Sequence, residues 1–108
     1  MIVINEVNIY EISYKKFKNL VDKWSNHEKI GRLLFLSKNK NKYFALDNEA
    51  DECFVEEFNS RDKALCWLVR KEYDSSEIEN LQDIEVRNLL SEEQYKIVLN
   101  YKEVSYGL

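Results

Sequence analysis

Proline is absent from the 108 residues, and glycine occurs only at Gly31 and Gly107. Without them the chain cannot be collagen-like, a proline-rich ligand or a glycine-rich low-complexity segment. The same shortage excludes loops that cradle phosphate, which need glycine where backbone N–H groups close on an anion. Cysteine is limited to Cys53 and Cys66, and histidine to His27. Two cysteines build no disulfide framework, and their spacing matches no zinc motif. A single Cys53–Cys66 bridge is open to a strand followed by a helix, but a reducing compartment disfavours it. Apolar runs are short, so no membrane span is expected. Residues 1–9 lack a basic region, and Asn5, Glu6 and Asn8 break their apolar run. Neither a secretory signal nor a transit peptide is expected there, and the compartment expected is the cytoplasm.

What is present is a globular composition, 44 % hydrophobic and 33 % charged. Seven Tyr, five Phe and two Trp supply bulky core material. At 13.0 kDa the chain suits one domain over residues 1–108.

Periodicity orders the elements. Residues 2–12 combine alternation with β-branched side chains and predict one strand or two short ones. Ser13 is placed as an N-cap, and Phe17, Leu20, Val21 and Trp24 recur at helical spacing, which predicts a helix over 14–26. Apolar runs at 33–36, 43–46 and 53–58, separated by Asn- and Asp-rich turns, predict a three-stranded antiparallel meander. Apolar residues fall on both alternating sets, Phe44 and Leu46 against Tyr43 and Ala45, so both sheet faces should be covered. Asn59 and Ser60 cap a helix over 61–72 whose apolar residues wrap most of its circumference, so it must be buried on more than one side. Ser76-Glu77-Ile78-Glu79 and Ser91-Glu92-Glu93-Gln94 fit the capping-box pattern and predict two C-terminal helices, 77–89 and 92–103. The expected class is therefore α+β.

Charge is distributed in blocks. Residues 13–42 carry nine basic side chains against Asp22 and Glu28, a net +7. Residues 43–59 carry six acids and no base, a net −6. Such asymmetry points to a charged partner. The acidic block, Asp47, Glu49, Asp51, Glu52, Glu56 and Glu57, sits on a predicted hairpin where side chains project together. Glu56 falls between Phe54 and Phe58 on one strand face, a place where an apolar residue is usual. An acid flanked by aromatic anchors suits a protein-docking surface, and it equally suits an edge strand guarded by inward charge.

Catalytic patterns are thin. His27 has no second histidine and no neighbouring cysteine with which to build a metal site or triad. Asp47, Glu49 and Asp51 have the opening spacing of a calcium loop, but Glu52 stands where its glycine is needed and Phe58 where its closing acid is needed. No G-x-S-x-G, H-E-x-x-H or Walker pattern occurs. No enzyme activity, cofactor or metal is expected. The basic block, led by Lys15, Lys16, Lys18 and Lys23 and continued by Lys38, Lys40 and Lys42, is a second candidate surface, for nucleic-acid phosphates.

The stretch from Tyr43-Phe44-Ala45-Leu46-Asp47 to Phe54-Val55-Glu56-Glu57-Phe58-Asn59-Ser60 and on through Ala64 to Trp67-Leu68 resembles the AP2-like arm-binding domain of phage-type integrases. The resemblance covers about a quarter of the chain. It implies a strand–turn–strand–helix unit, and in that family the strands are basic and enter a DNA groove. Here Asp47, Glu49, Glu56 and Glu57 invert that charge. The helix–meander–helix order is also similar to the double-stranded-RNA-binding fold, although the second helix lacks that family's lysine cluster. In style, the small, acidic, proline-free chain rich in Asn, Lys and Tyr resembles accessory proteins of phages and mobile elements of AT-rich Gram-positive bacteria, anti-CRISPR inhibitors among them. That likeness implies an inhibitor whose acidic surface occupies a nucleic-acid groove. The leading expectation is a non-enzymatic protein-binding inhibitor. Its partner would be a larger protein with a basic surface, such as a defence nuclease or nucleoprotein complex. Direct nucleic-acid binding through residues 13–42 ranks second.

Overall fold

The structure, a computed structural model, describes residues 6–102. The strand start at Ile2 and Ile4 and the chain from Glu103 onward lie outside the described residues. The fold is α+β, with a five-stranded mixed sheet and four helices. In chain order the elements are β1 (Val7–Glu11), α1 (Tyr14–Ser25), β2 (Leu34–Asn39), β3 (Lys42–Asp47), β4 (Phe54–Phe58), α2 (Arg61–Val69), α3 (Ser75–Glu79), α4 (Asp83–Ser91) and β5 (Tyr95–Val98). Across the sheet the strands run β4-β3-β2-β1-β5. Strands β2, β3 and β4 are joined as antiparallel hairpins, whereas β1 lies parallel to both β2 and β5.

Helix α1 begins where Ser13 accepts a hydrogen bond from the Lys16 N–H, which satisfies one of the donors that every helix start leaves free. Its apolar stripe covers one sheet face: Phe17 and Leu20 pack with Ile12, Ile30, Phe35 and Leu46. The opposite face, with Ile9, Leu34, Leu36, Ala45 and Phe58, is covered by α2, α3 and α4. Alternation along the strands fills both cores at once, as the apolar residues on both sets predict. Helix α2 buries Ala64, Leu65, Cys66, Leu68 and Val69 between the sheet and the two helices after it. That sandwiching is what its all-round apolar surface requires.

Two features of the C-terminal third differ from the sequence expectation. The helix expected over 77–89 is two helices broken at residues 80–82. Asp74, not Ser76, caps α3: its carboxylate accepts from the Glu77 N–H at 2.8 Å, and the Glu77 carboxylate accepts from the Asp74 N–H at 3.4 Å. The helix expected over 92–103 is replaced by β5, and Ser91 ends α4 instead of starting a new helix. The open edge of β1 decides this. Tyr95 and Ile97 pair with Val7 and Ile9 and pack into the core on the α2 side. Four ladder positions and a buried face outweigh a local capping pattern. The meander is therefore part of a larger mixed sheet.

The loop between β3 and β4 is pinned from inside. Asn48 is fully buried; its N–H donates to the Leu33 carbonyl at 3.1 Å and its amide NH2 to the Gly31 carbonyl. Its side-chain oxygen accepts from the Cys53 N–H at 3.0 Å. With the Asp51 N–H donating to the Asn48 carbonyl at 3.0 Å, these bonds hold Asp51 and Cys53 in left-handed backbone at φ 59° and 50°, which costs a non-glycine residue about 1–2 kcal/mol. Gly31 takes φ 87° without that penalty. Cys53 belongs to the α1-side core and Cys66 to the α2-side core, and both are free thiols. The sheet between them excludes the bridge that their order along the chain left open.

Candidate functional site

Alternation along β4 assigns each candidate residue to a face. Phe58 pairs with Tyr43, Glu56 with Ala45 and Phe54 with Asp47, so these three look toward the α2 side. Glu57 pairs with Phe44 and Val55 with Leu46, so these two look toward the α1 side. The acids that sequence reasoning groups on one hairpin surface thus divide between two faces and the turn that joins them.

Three of the eight sequence candidates serve the fold itself. Phe58 is 1 % exposed and packs on Trp67, with ring centroids 6.0 Å apart; it is a core residue, not a contact anchor. Asp47 forms an ion pair with Lys71, whose ammonium also lies 3.5 Å from Glu49. Asp47 further accepts from the Glu49 N–H at 3.0 Å. Lys71 follows α2, and no spacing in the sequence links it to the hairpin. The ammonium sits between the two carboxylates that begin the calcium-like spacing, and among the described residues no group of three or more His, Cys, Asp or Glu side chains is arranged to hold a metal.

The other five form a narrower surface. Asp51 and Glu52 are exposed in the turn, Glu57 is exposed and Glu56 half-buried. Among the described residues none of these four carboxylates forms an ion pair. Phe54 is 52 % exposed, and beside it Val55, which the sequence reading did not single out, is 39 % exposed. Strand alternation places Val55 on the α1-side face, opposite Leu46. There Tyr14, Phe17, Lys18, Val21, Asp22, Phe44 and Val55 line an open groove of about 240 Å³. The ring of Tyr14 lies 5.0 Å from that of Phe44, which closes the groove floor. β4 is also the sheet's outer strand, and among the described residues its backbone bonds only to β3.

The basic block also has a location. Because β1 and β2 are parallel, the start of α1 and the β2–β3 hairpin lie at the same end of the sheet. Lys15, Lys16, Lys18, Lys38 and Lys40 are exposed there and make no carboxylate ion pair among the described residues. Lys18 stands over the Tyr14 ring at 5.8 Å and Lys38 over the Tyr43 ring at 5.6 Å. His27 is exposed in the turn after α1 at φ 64°. Burial pushes the Cys66 thiol up to about 11, with Arg70 pulling it partly back, and raises Cys53 as well. Protonated thiols are poor nucleophiles.

Searches against protein-family models, curated proteins and solved structures found no match for this chain. Helix α2 covers one face of β2 and β3, and α1 covers the other. No described helix is long and apolar enough to cross a membrane.

Proposed function

We propose that the protein is a non-enzymatic inhibitor that binds a larger protein by laying its acidic edge on a basic, nucleic-acid-binding surface. One observation carries the reading: Phe54 and Val55 are exposed on opposite faces of the same outer strand, with four carboxylates on that strand and its turn that form no ion pair among the described residues. Apolar anchors within a charged rim are the usual anatomy of a specific interface. Carboxylates left unmatched at home are available to steer a basic partner. The style shared with phage accessory proteins points to a defence nuclease or nucleoprotein complex as the partner class, and the cytoplasm as the place of encounter. Phe54, Asp51, Glu52, Glu56 and Glu57 carry the contact, joined by Val55. Asp47 and Glu49 contribute less because Lys71 already screens them.

The test is capture of partners from the native cell lysate with the tagged wild type and with an E56K/E57K variant. The wild type should retain a protein that releases nucleic acid on binding and elutes with salt, and the double variant should lose it. Equal recovery by both proteins overturns the reading.

The exposed lysines near Tyr14 and Tyr43 favour a second reading, a nucleic-acid-binding or regulatory protein. A gel shift at low salt that disappears when Lys15, Lys16 and Lys18 become Glu supports it; no shift removes it.

A further inference from the structure

We infer that β4 takes its partner as an added strand, a short extended segment of the target that joins the outer edge of the sheet with basic residues opposite Glu56 and Glu57 and an apolar residue in the groove beside α1. The inference rests on the docking reading above and specifies its geometry. An outer strand offers a row of unpaired N–H and C=O groups, and strand addition is the recognition mode that uses them. Charge selects the occupant. A second copy of β4 set antiparallel about Glu56 would bring two carboxylates directly opposite each other, and like charges at facing positions destabilise a pair. A segment with lysine or arginine at those positions gains from the same register.

The two faces ask for different side chains. On the α2 side, Glu56 lies between exposed Phe54 and buried Phe58, so the facing residue must be basic with a stem that can lie on Phe54. On the α1 side, Val55 forms one wall of the groove with Tyr14, Phe17 and Val21, and the charged Lys18 and Asp22 also line it. The next residue of an added strand points there and must be apolar. Glu57 follows on that side and calls for a second basic residue. The segment therefore carries two adjacent basic residues, opposite Glu57 and Glu56, and next to them an apolar residue opposite Val55.

The probe is a synthetic peptide containing Lys-Lys-Val within an extended sequence, compared with the same peptide N-methylated at alternate residues and with a Glu-Glu-Val counterpart. Amide hydrogen exchange is read at Phe54–Phe58 of the intact protein. Binding of the lysine peptide should slow exchange at the outward amides of β4 by about tenfold. N-methylation should abolish both the binding and the protection, because it removes the donors that the ladder needs. The glutamate peptide should not bind. If the lysine peptide binds E56K/E57K less well than the wild type but leaves β4 exchange unchanged, strand addition is wrong and the acidic docking reading survives. If the lysine and glutamate peptides behave alike, both fail.

Discussion

Arg70 is the residue on which the acidic C-terminal third converges. Its Nη1 donates to Glu93 at 2.8 Å and lies 3.5 Å from Glu92, while Nε lies 2.8 Å from Glu72 without the angle of a hydrogen bond. The guanidinium also stands 5.9 Å from the Tyr73 ring. Hydrogen bonding to Glu93 and the charges of Glu72 and Glu93 outweigh burial and hold its proton more tightly than usual. R70M should lower stability by about 2 kcal/mol in urea unfolding, since it leaves three acids together without their cation. Asp74 adds a dependence on pH. The Glu77 N–H and the Ser76 hydroxyl hold its carboxyl below the usual range. A group whose pKa is depressed by folding stabilises the fold above its unfolded value, ~3.9, and loses that contribution as pH falls through the folded value. Exchange protection of the Glu77 amide should accordingly be constant near neutrality and drop in acid. Cys66 should resist a thiol reagent at neutral pH until denaturant opens the core, and rapid labelling of the folded protein would contradict its placement.

Among the elements, α1 was the most legible: Ser13, Phe17, Leu20 and Val21 state a cap and a stripe, and the helix occupies Tyr14–Ser25. The strands of the meander were legible from their turns. β5 was not, because Tyr95-Lys96-Ile97-Val98 is too short to choose its own conformation and the choice belongs to β1, far away in the chain. The break between α3 and α4 was hidden for a related reason: Ile78, Leu81 and Ile84 keep helical spacing across residues 80–82, while Asp74 and the Glu85 carboxylate, which accepts from the Gln82 N–H at 3.4 Å, cap two separate starts. β4 invites a test at this scale. E56V removes the charge that keeps copies apart, so the variant should self-associate in light scattering while the wild type does not. In the loop before β4, N48A should cost about 3 kcal/mol, because it leaves the Gly31 carbonyl and the Cys53 N–H without their partner.

At the scale of the whole molecule the two helical layers carry opposite charge. α1 presents Lys15, Lys16, Lys18 and Lys23 against Asp22, whereas α3 and α4 present Glu77, Glu79, Asp83 and Glu85 against Arg87. The sequence showed the blocks but not their separation by a sheet, and it merged on one surface acids that alternation sends to two. It also hid the screening of Asp47 and Glu49, since Lys71 reaches them only through the packing of α2 on β3. On the docking function proposed above, association with the basic partner should slow steeply with added salt, and E52K/E57K should flatten that slope in stopped-flow measurements.

Strand β1 sits between β2 and β5, so the first strand of the described chain acquires its second neighbour from the last. During synthesis its outer side stays bare until residues 95–98 leave the ribosome, and a nascent chain stalled before them would expose a sticky flank that holdase chaperones recognise. Closing so long a loop late makes folding slow for a protein of this size.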